Sequence, residues 1–143
     1  MDRPRIPVWF WIVAVLAVVW NGFGCIDFTM TLARNADYLA GVPEAYVAYL
    51  DTLPMWLMAM WALGVFGALA GSLLLLVRSG WAILPFSASL LGLAVTTFFQ
   101  LFDEKPAGLE VQATDMVASL VIWTMAIALL VFAIVMLRKG ILR

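Results

Sequence analysis

Four stretches without a single charged residue dominate this chain: Ile6 to Ile26, Thr52 to Val77, Ser79 to Phe102 and Met116 to Leu137. Each holds at least about 20 residues, and a helix rising 1.5 Å per residue crosses a ~30 Å hydrocarbon core over that length. Few other structures accept such a run. A transmembrane β-strand alternates polar and apolar positions over about ten residues, whereas these stretches are apolar throughout. The reading is all-α: one integral membrane domain over residues 1–143, a four-transmembrane-helix bundle with spans at about 7–32, 53–78, 80–102 and 114–137.

Composition narrows the chemistry. Hydrophobic residues make up 66% of the chain and charged residues 12%, and the mean hydropathy is +1.07. A soluble domain needs about a quarter of its residues charged to cover its surface, so lipid is the main solvent here. A formal net charge of -1 gives no basic surface for nucleic acid, and Cys25, the one cysteine, makes no disulfide framework. With no histidine and one cysteine, the usual ligands of zinc, copper, haem and iron–sulfur clusters are missing, so no metal and no cofactor is expected. Lys105 and Lys139 are the only lysines and lie outside the spans, which leaves a serine or cysteine nucleophile without a base. The chain reads as non-enzymatic.

The first apolar run follows Arg3 and Arg5, as a signal peptide would. It is longer than the usual apolar region of about 7–15 residues and lacks a small-x-small cleavage site, so it is expected to stay attached. Arg3, Arg5, Arg78, Arg138, Lys139 and Arg143 fall on one side of the membrane, Arg34 and Lys105 on the other. The formal charge is about +5 on the first side and about -6 on the second, which carries eight of the nine acids. By the positive-inside rule both termini are cytoplasmic and the outer face is acidic.

Between the second and third spans stand only Arg78-Ser79-Gly80. Gly80 is expected to supply the left-handed residue that ends a helix, and Arg78 to face the negative dipole end, in a tight antiparallel hairpin. In the longer first outer loop Tyr38, Val42, Ala45 and Tyr49 recur at i, i+4, i+7 and i+11, with Pro43 suited to a first turn. That spacing predicts a short amphipathic helix with its tyrosines at headgroup depth.

The residues that could carry function cluster toward the outer half. Trp20-Asn21-Gly22-Phe23-Gly24-Cys25-Ile26-Asp27 places an amide, two glycines and a carboxylate at the end of the first span. Two readings fit: a polar binding site around Trp20, Asn21 and Asp27, or close packing at Gly22 and Gly24 with one interhelical bond from Asn21. On the third span Ser89, Thr96 and Gln100 share a stripe with Thr97 alongside, and the fourth opens with Gln112, Asp115 and Ser119. Thr96, Gln100 and Asp115 either complete a shallow outward-facing pocket with the first helix or serve as helix glue and a cap. Gly64, Gly67 and Gly71 form a small-xxx-small stripe for close helix contact, within the bundle or with another copy. Trp9, Trp11, Trp56 and Trp81 suit the membrane interfaces, whereas Trp20, Trp61 and Trp123 lie deeper, as packing or as walls of a hydrophobic groove.

The run Pro54-Met55-Trp56, then Trp61 to Gly71, then Leu73 to Leu76 with Arg78 and Trp81-Ala82, together with Val19 to Gly24 and Asp27, resembles a family of small uncharacterised bacterial four-helix inner-membrane proteins, some of them loosely labelled sugar transporters. The resemblance covers roughly two-thirds of the chain. It implies a multi-pass protein of the bacterial inner (cytoplasmic) membrane and no catalytic residue. Two functions remain open on the sequence. One is an accessory or assembly subunit packing against a larger membrane complex. The other is a small transporter or hydrophobic-ligand-binding protein, formed as a homo-oligomer, with an acidic outward mouth.

Overall fold

A computed structural model describes residues 6–104, 109 and 113–143. The elements are α1 (Val8–Leu32), α2 (Ala36–Leu39), α3 (Glu44–Thr52), α4 (Met55–Leu76), a 3₁₀ turn (Gly80–Ala82), α5 (Ile83–Phe102) and α6 (Ala113–Arg138). The fold is all-α, and α1, α4, α5 and α6 are long and apolar enough to cross a membrane. This is a multi-pass helical membrane protein whose spans agree with the charge-free runs to within a few residues.

Prolines set the starts. Pro7, Pro43 and Pro54 are the N-cap residues of α1, α3 and α4, and Pro85 lies in the first turn of α5. A proline there loses no helical hydrogen bond, because the first N–H groups have no intrahelical partner. The helix expected over the first loop is divided: α2 spans four residues, and α3 restarts after Pro43. Proline disfavours the helical conformation in the residue before it, here Val42, so the loop cannot run as one helix through this point.

Arginines form the ends. Arg34 (φ 51°) and Arg78 (φ 58°) adopt the left-handed conformation just beyond α1 and α4. Asn35 N–H then bonds Met30 O at 3.1 Å, and Ser79 N–H bonds Leu74 O at 2.9 Å, the wrap-back that satisfies terminal carbonyls. The expectation that Gly80 would take the left-handed position is therefore corrected to Arg78. Bonds from beyond the end of α6 hold the arginine there: its Nε donates to Ile141 O at 3.0 Å, and its carbonyl accepts Arg143 N–H at 2.9 Å. Gly80 N–H donates to Arg143 O, also at 2.9 Å. Gly80 is small for a different reason. A Cβ there would lie 2.9 Å from Leu137 Cδ1, where the end of α6 crosses the turn.

The packing is uneven along the bundle. α4 sits between α1 and α5 and packs closely on both, while α6 packs chiefly on α5. At the turn end, Phe10, Ala14 and Ala17 of α1 meet Leu75, Phe86, Leu129, Ala133, Met136, Ile141 and Leu142 in one core. Phe132 of α6 reaches α1 there, stacking on Phe10 and meeting Trp9 edge-on. At the opposite, loop end the arrangement differs. α6 contributes no buried residue before Leu129, and every position from Ala113 to Ile122 is exposed.

Candidate functional site

The expected polar site distributes over three locations. Asn21 faces α4, where its Nδ2 donates to Ser72 Oγ at 2.9 Å, and Ser72 in turn donates to Ala68 O. Ser72 is fully buried, so this is an amide–hydroxyl tie between helices inside the apolar region. Trp20 lies on the exposed side of α1. Asp27 lies a turn and a half beyond Asn21 and accepts the Tyr38 hydroxyl at 2.6 Å. The structure thus separates Asn21 from Asp27. Thr96 donates to Gly92 O and Leu93 O of its own helix, Gln100 is exposed, and Asp115 lies in the first turn of α6. Gln112 lies outside the described residues.

The glycine stripe joins α4 to α5 within the chain. A Cβ on Gly67 would lie 2.9 Å from Pro85 O and 3.2 Å from Ser89 N, and one on Gly71 would lie 2.7 Å from the Phe86 ring. Gly64 is less tight, with Leu93 N at 3.7 Å. Gly92 is tighter than all of them: its Cβ would press on Met60 O and lie 2.7 Å from Gly64 N. Sequence reading missed Gly92, although the signal was present. Gly92 lies three residues beyond Ser89, on a stripe for which the sequence leaves helix glue and a pocket both open, and Pro85, Phe86, Ser89 and Gly92 form the surface that receives the α4 glycines. Ser89 Oγ donates to Gly64 O across the contact. Gly24 meets only Val65 Cγ1, at 3.8 Å, and a Cβ on Gly22 would meet no atom within 4 Å. Neither makes a tight helix contact within the chain.

Across the loop end runs a set of bonds that sequence reading did not pair. The chain's three tyrosines all lie on α2 and α3. Tyr38 bonds Asp27 of α1, and Tyr49 bonds Asp103, the C-cap residue of α5. Arg34 forms an ion pair with Asp51 and donates to Thr31 O, tying the end of α1 to α3. Each tyrosine hydroxyl is held above its ordinary pKa. For Tyr38 the bond to Asp27 is the main cause; for Tyr46 it is burial, helped by the charges of Asp27 and Asp115; for Tyr49 it is burial, then the bond to Asp103. The α2–α3 segment therefore acts as a strap: Tyr38 and Tyr49 bond carboxylates of α1 and α5, and Tyr46 lies in the field of Asp27 and of Asp115 on α6.

Beside the strap an apolar groove of about 600 Å³ opens on the bundle surface, lined by Trp56, Ala94, Val95, Phe98, Phe99, Phe102 and Asp103. Trp56 of α4 packs edge-on against Phe99 of α5, with ring centroids 5.6 Å apart. The deeper tryptophans serve packing: Trp61 meets Phe28 edge-on at 4.9 Å, and Trp123 Nε1 donates to Thr97 Oγ1 at 3.3 Å. Among the described residues no group of three or more Cys, Asp and Glu side chains is placed to hold a metal ion.

Fold and surface together define a polytopic α-helical membrane protein with a strapped loop end and an apolar side groove. No protein-family model, curated protein or solved structure matches the chain.

Proposed function

We propose that this protein is a non-enzymatic accessory or assembly subunit, docking another membrane protein or a second copy of itself through the loop-end half of α6. The observation that carries the reading is the mismatch within α6. Its second half enters the core through Leu129, Ala133 and Met136, while Ala113 to Ile122 is exposed on every face. Helices associate in lipid by van der Waals fit and a few polar bonds. A helix packed along half its length offers the rest of its exposed apolar surface to a neighbouring helix.

The transport reading draws less support, because the side chains that would line a path are engaged elsewhere: Asn21 with Ser72, Thr96 with its own helix, and Asp27 with Tyr38. The membrane is read as a bacterial inner membrane, on the family resemblance, with both termini cytoplasmic on the distribution of basic residues.

Two substitutions on α6 test the role. Ala118→Trp, on the exposed half, is expected to remove partner or self-association during purification in mild detergent while leaving the melting temperature unchanged. Ala133→Trp, at a position with no exposed surface, is expected to lower the melting temperature. A wild-type protein that runs alone at every concentration, and an Ala118→Trp variant indistinguishable from it, would overturn the reading.

A further inference from the structure

We infer that the groove beside the strap holds one acyl chain of a lipid whose headgroup carries an amine, with Asp103 receiving the ammonium. Three observations carry this. The first is length. From Ala94 to Phe102 the groove follows α5 for nine residues, a rise of about 12 Å at 1.5 Å per residue. That matches one leaflet, roughly half of a ~30 Å hydrocarbon core. An acyl chain needs a contact of one leaflet's length.

The second is polarity. The walls are Trp56, Ala94, Val95 and three phenylalanines, and the polar lining residue is Asp103. Asp103 is the C-cap of α5, so the carboxylate stands at the mouth of the groove, at headgroup depth, with the tail-binding surface beneath it.

The third is charge. Tyr49 donates to Asp103 and fixes its carboxylate at that mouth, and Trp56 lines the same groove. An anionic headgroup meets the like charge of the Asp103 carboxylate there. An ammonium headgroup finds a carboxylate.

The inference is independent of what docks on α6. It is tested with the full chain in bilayer discs containing phosphatidylethanolamine or phosphatidylglycerol with identical dibrominated tails, which quench nearby indoles. The contribution of Trp56 is isolated by comparison with Trp56→Phe. The wild type is expected to reach half-quenching of Trp56 at about fivefold lower phosphatidylethanolamine than phosphatidylglycerol, the preference one interfacial charge pair gives. Asp103→Asn retains an acceptor for Tyr49 and is expected to abolish the preference while both lipids still quench. Tyr49→Phe, which keeps the carboxylate but no longer fixes it, is expected to reduce the preference without abolishing it, so loss of the strap bond and loss of the charge are distinguished. Ala94→Phe, which fills the groove, is expected to weaken quenching by both lipids. Equal half-quenching by the two lipids in the wild type would overturn the inference, leaving ordinary lipid contact. So would failure of either lipid to quench Trp56, which would mean that protein covers the groove, or quenching unaffected by Ala94→Phe.

Discussion

Single residues in this molecule matter through the space they leave and the bonds they close. Gly92 is the sharpest case. A methyl group added there meets backbone atoms Met60 O and Gly64 N, and backbone cannot swing aside as a side chain can. Gly92→Ala is therefore expected to cost about 1–3 kcal/mol, as overpacking does, read as a lowered melting temperature in detergent. Gly22→Ala is expected to be neutral or to stabilise by up to about 1 kcal/mol, since that site is open and alanine is the better helix former. The same scale applies to Asn21 and Ser72. A double-mutant cycle with Asn21→Ala and Ser72→Ala is expected to give a coupling of about 0.6 kcal/mol, the usual worth of a hydrogen bond between membrane helices. At this scale the sequence was only partly legible. Small residues announce close contact, but which surface receives them depends on helix rotation, and the receiving Ser89 and Gly92 look the same in sequence whether they face a pocket or a glycine.

The elements were legible in proportion to how uniform they are. The four long helices could be read directly because an uncharged apolar run of that length has one stable form in lipid. The strap could not be read so fully. Its tyrosines and acids lie far apart along the chain, with Tyr49 and Asp103 separated by 54 positions, and local spacing says nothing about that pairing. Gly80 was misjudged for a related reason: its smallness answers to Leu137, more than fifty residues away, and Arg78 takes the left-handed turn because the tail at Ile141 and Arg143 holds it. The strap also has a pH signature. All three tyrosines titrate above the ordinary value near 10 in the folded chain. Below that value folded and unfolded chains both keep the phenolic protons, and the strap's contribution is complete. As pH rises past it, the unfolded chain loses protons that the folded chain retains, so stability falls progressively through the higher folded values. Tyrosinate absorbance is expected to titrate above pH ~10 in the native protein and to shift downward for one group in Asp103→Asn. A native titration at the free-tyrosine value would show that the hydroxyl bonds do not persist in solution.

At the scale of the whole molecule, the distribution of basic residues gives an orientation that thiol labelling checks. In a Cys25→Ala background, Asp37→Cys is expected to react with a membrane-impermeant reagent in intact cells, while Arg143→Cys stays shielded until the membrane is permeabilised. Reaction at both positions in intact cells would remove the orientation. The two ends of the bundle also mature at different times during synthesis. The turn after α4 is held by backbone bonds to Arg143, and Arg78 reaches 63 positions ahead to Ile141. The α4–α5 hairpin is complete at Phe102, and at about 5–20 residues per second the ribosome needs roughly 2–8 s to go from there to Ile141. For those seconds the α4–α5 hairpin is inserted with its turn unclasped and the cavity around Phe10, Leu75 and Phe86 lacking the side chains that α6 brings. The hairpin's own glycine contacts must hold it through that wait, so substitutions at Gly67, Gly71 or Gly92 are expected to reduce the amount of protein that survives insertion more than they reduce the stability of the finished bundle.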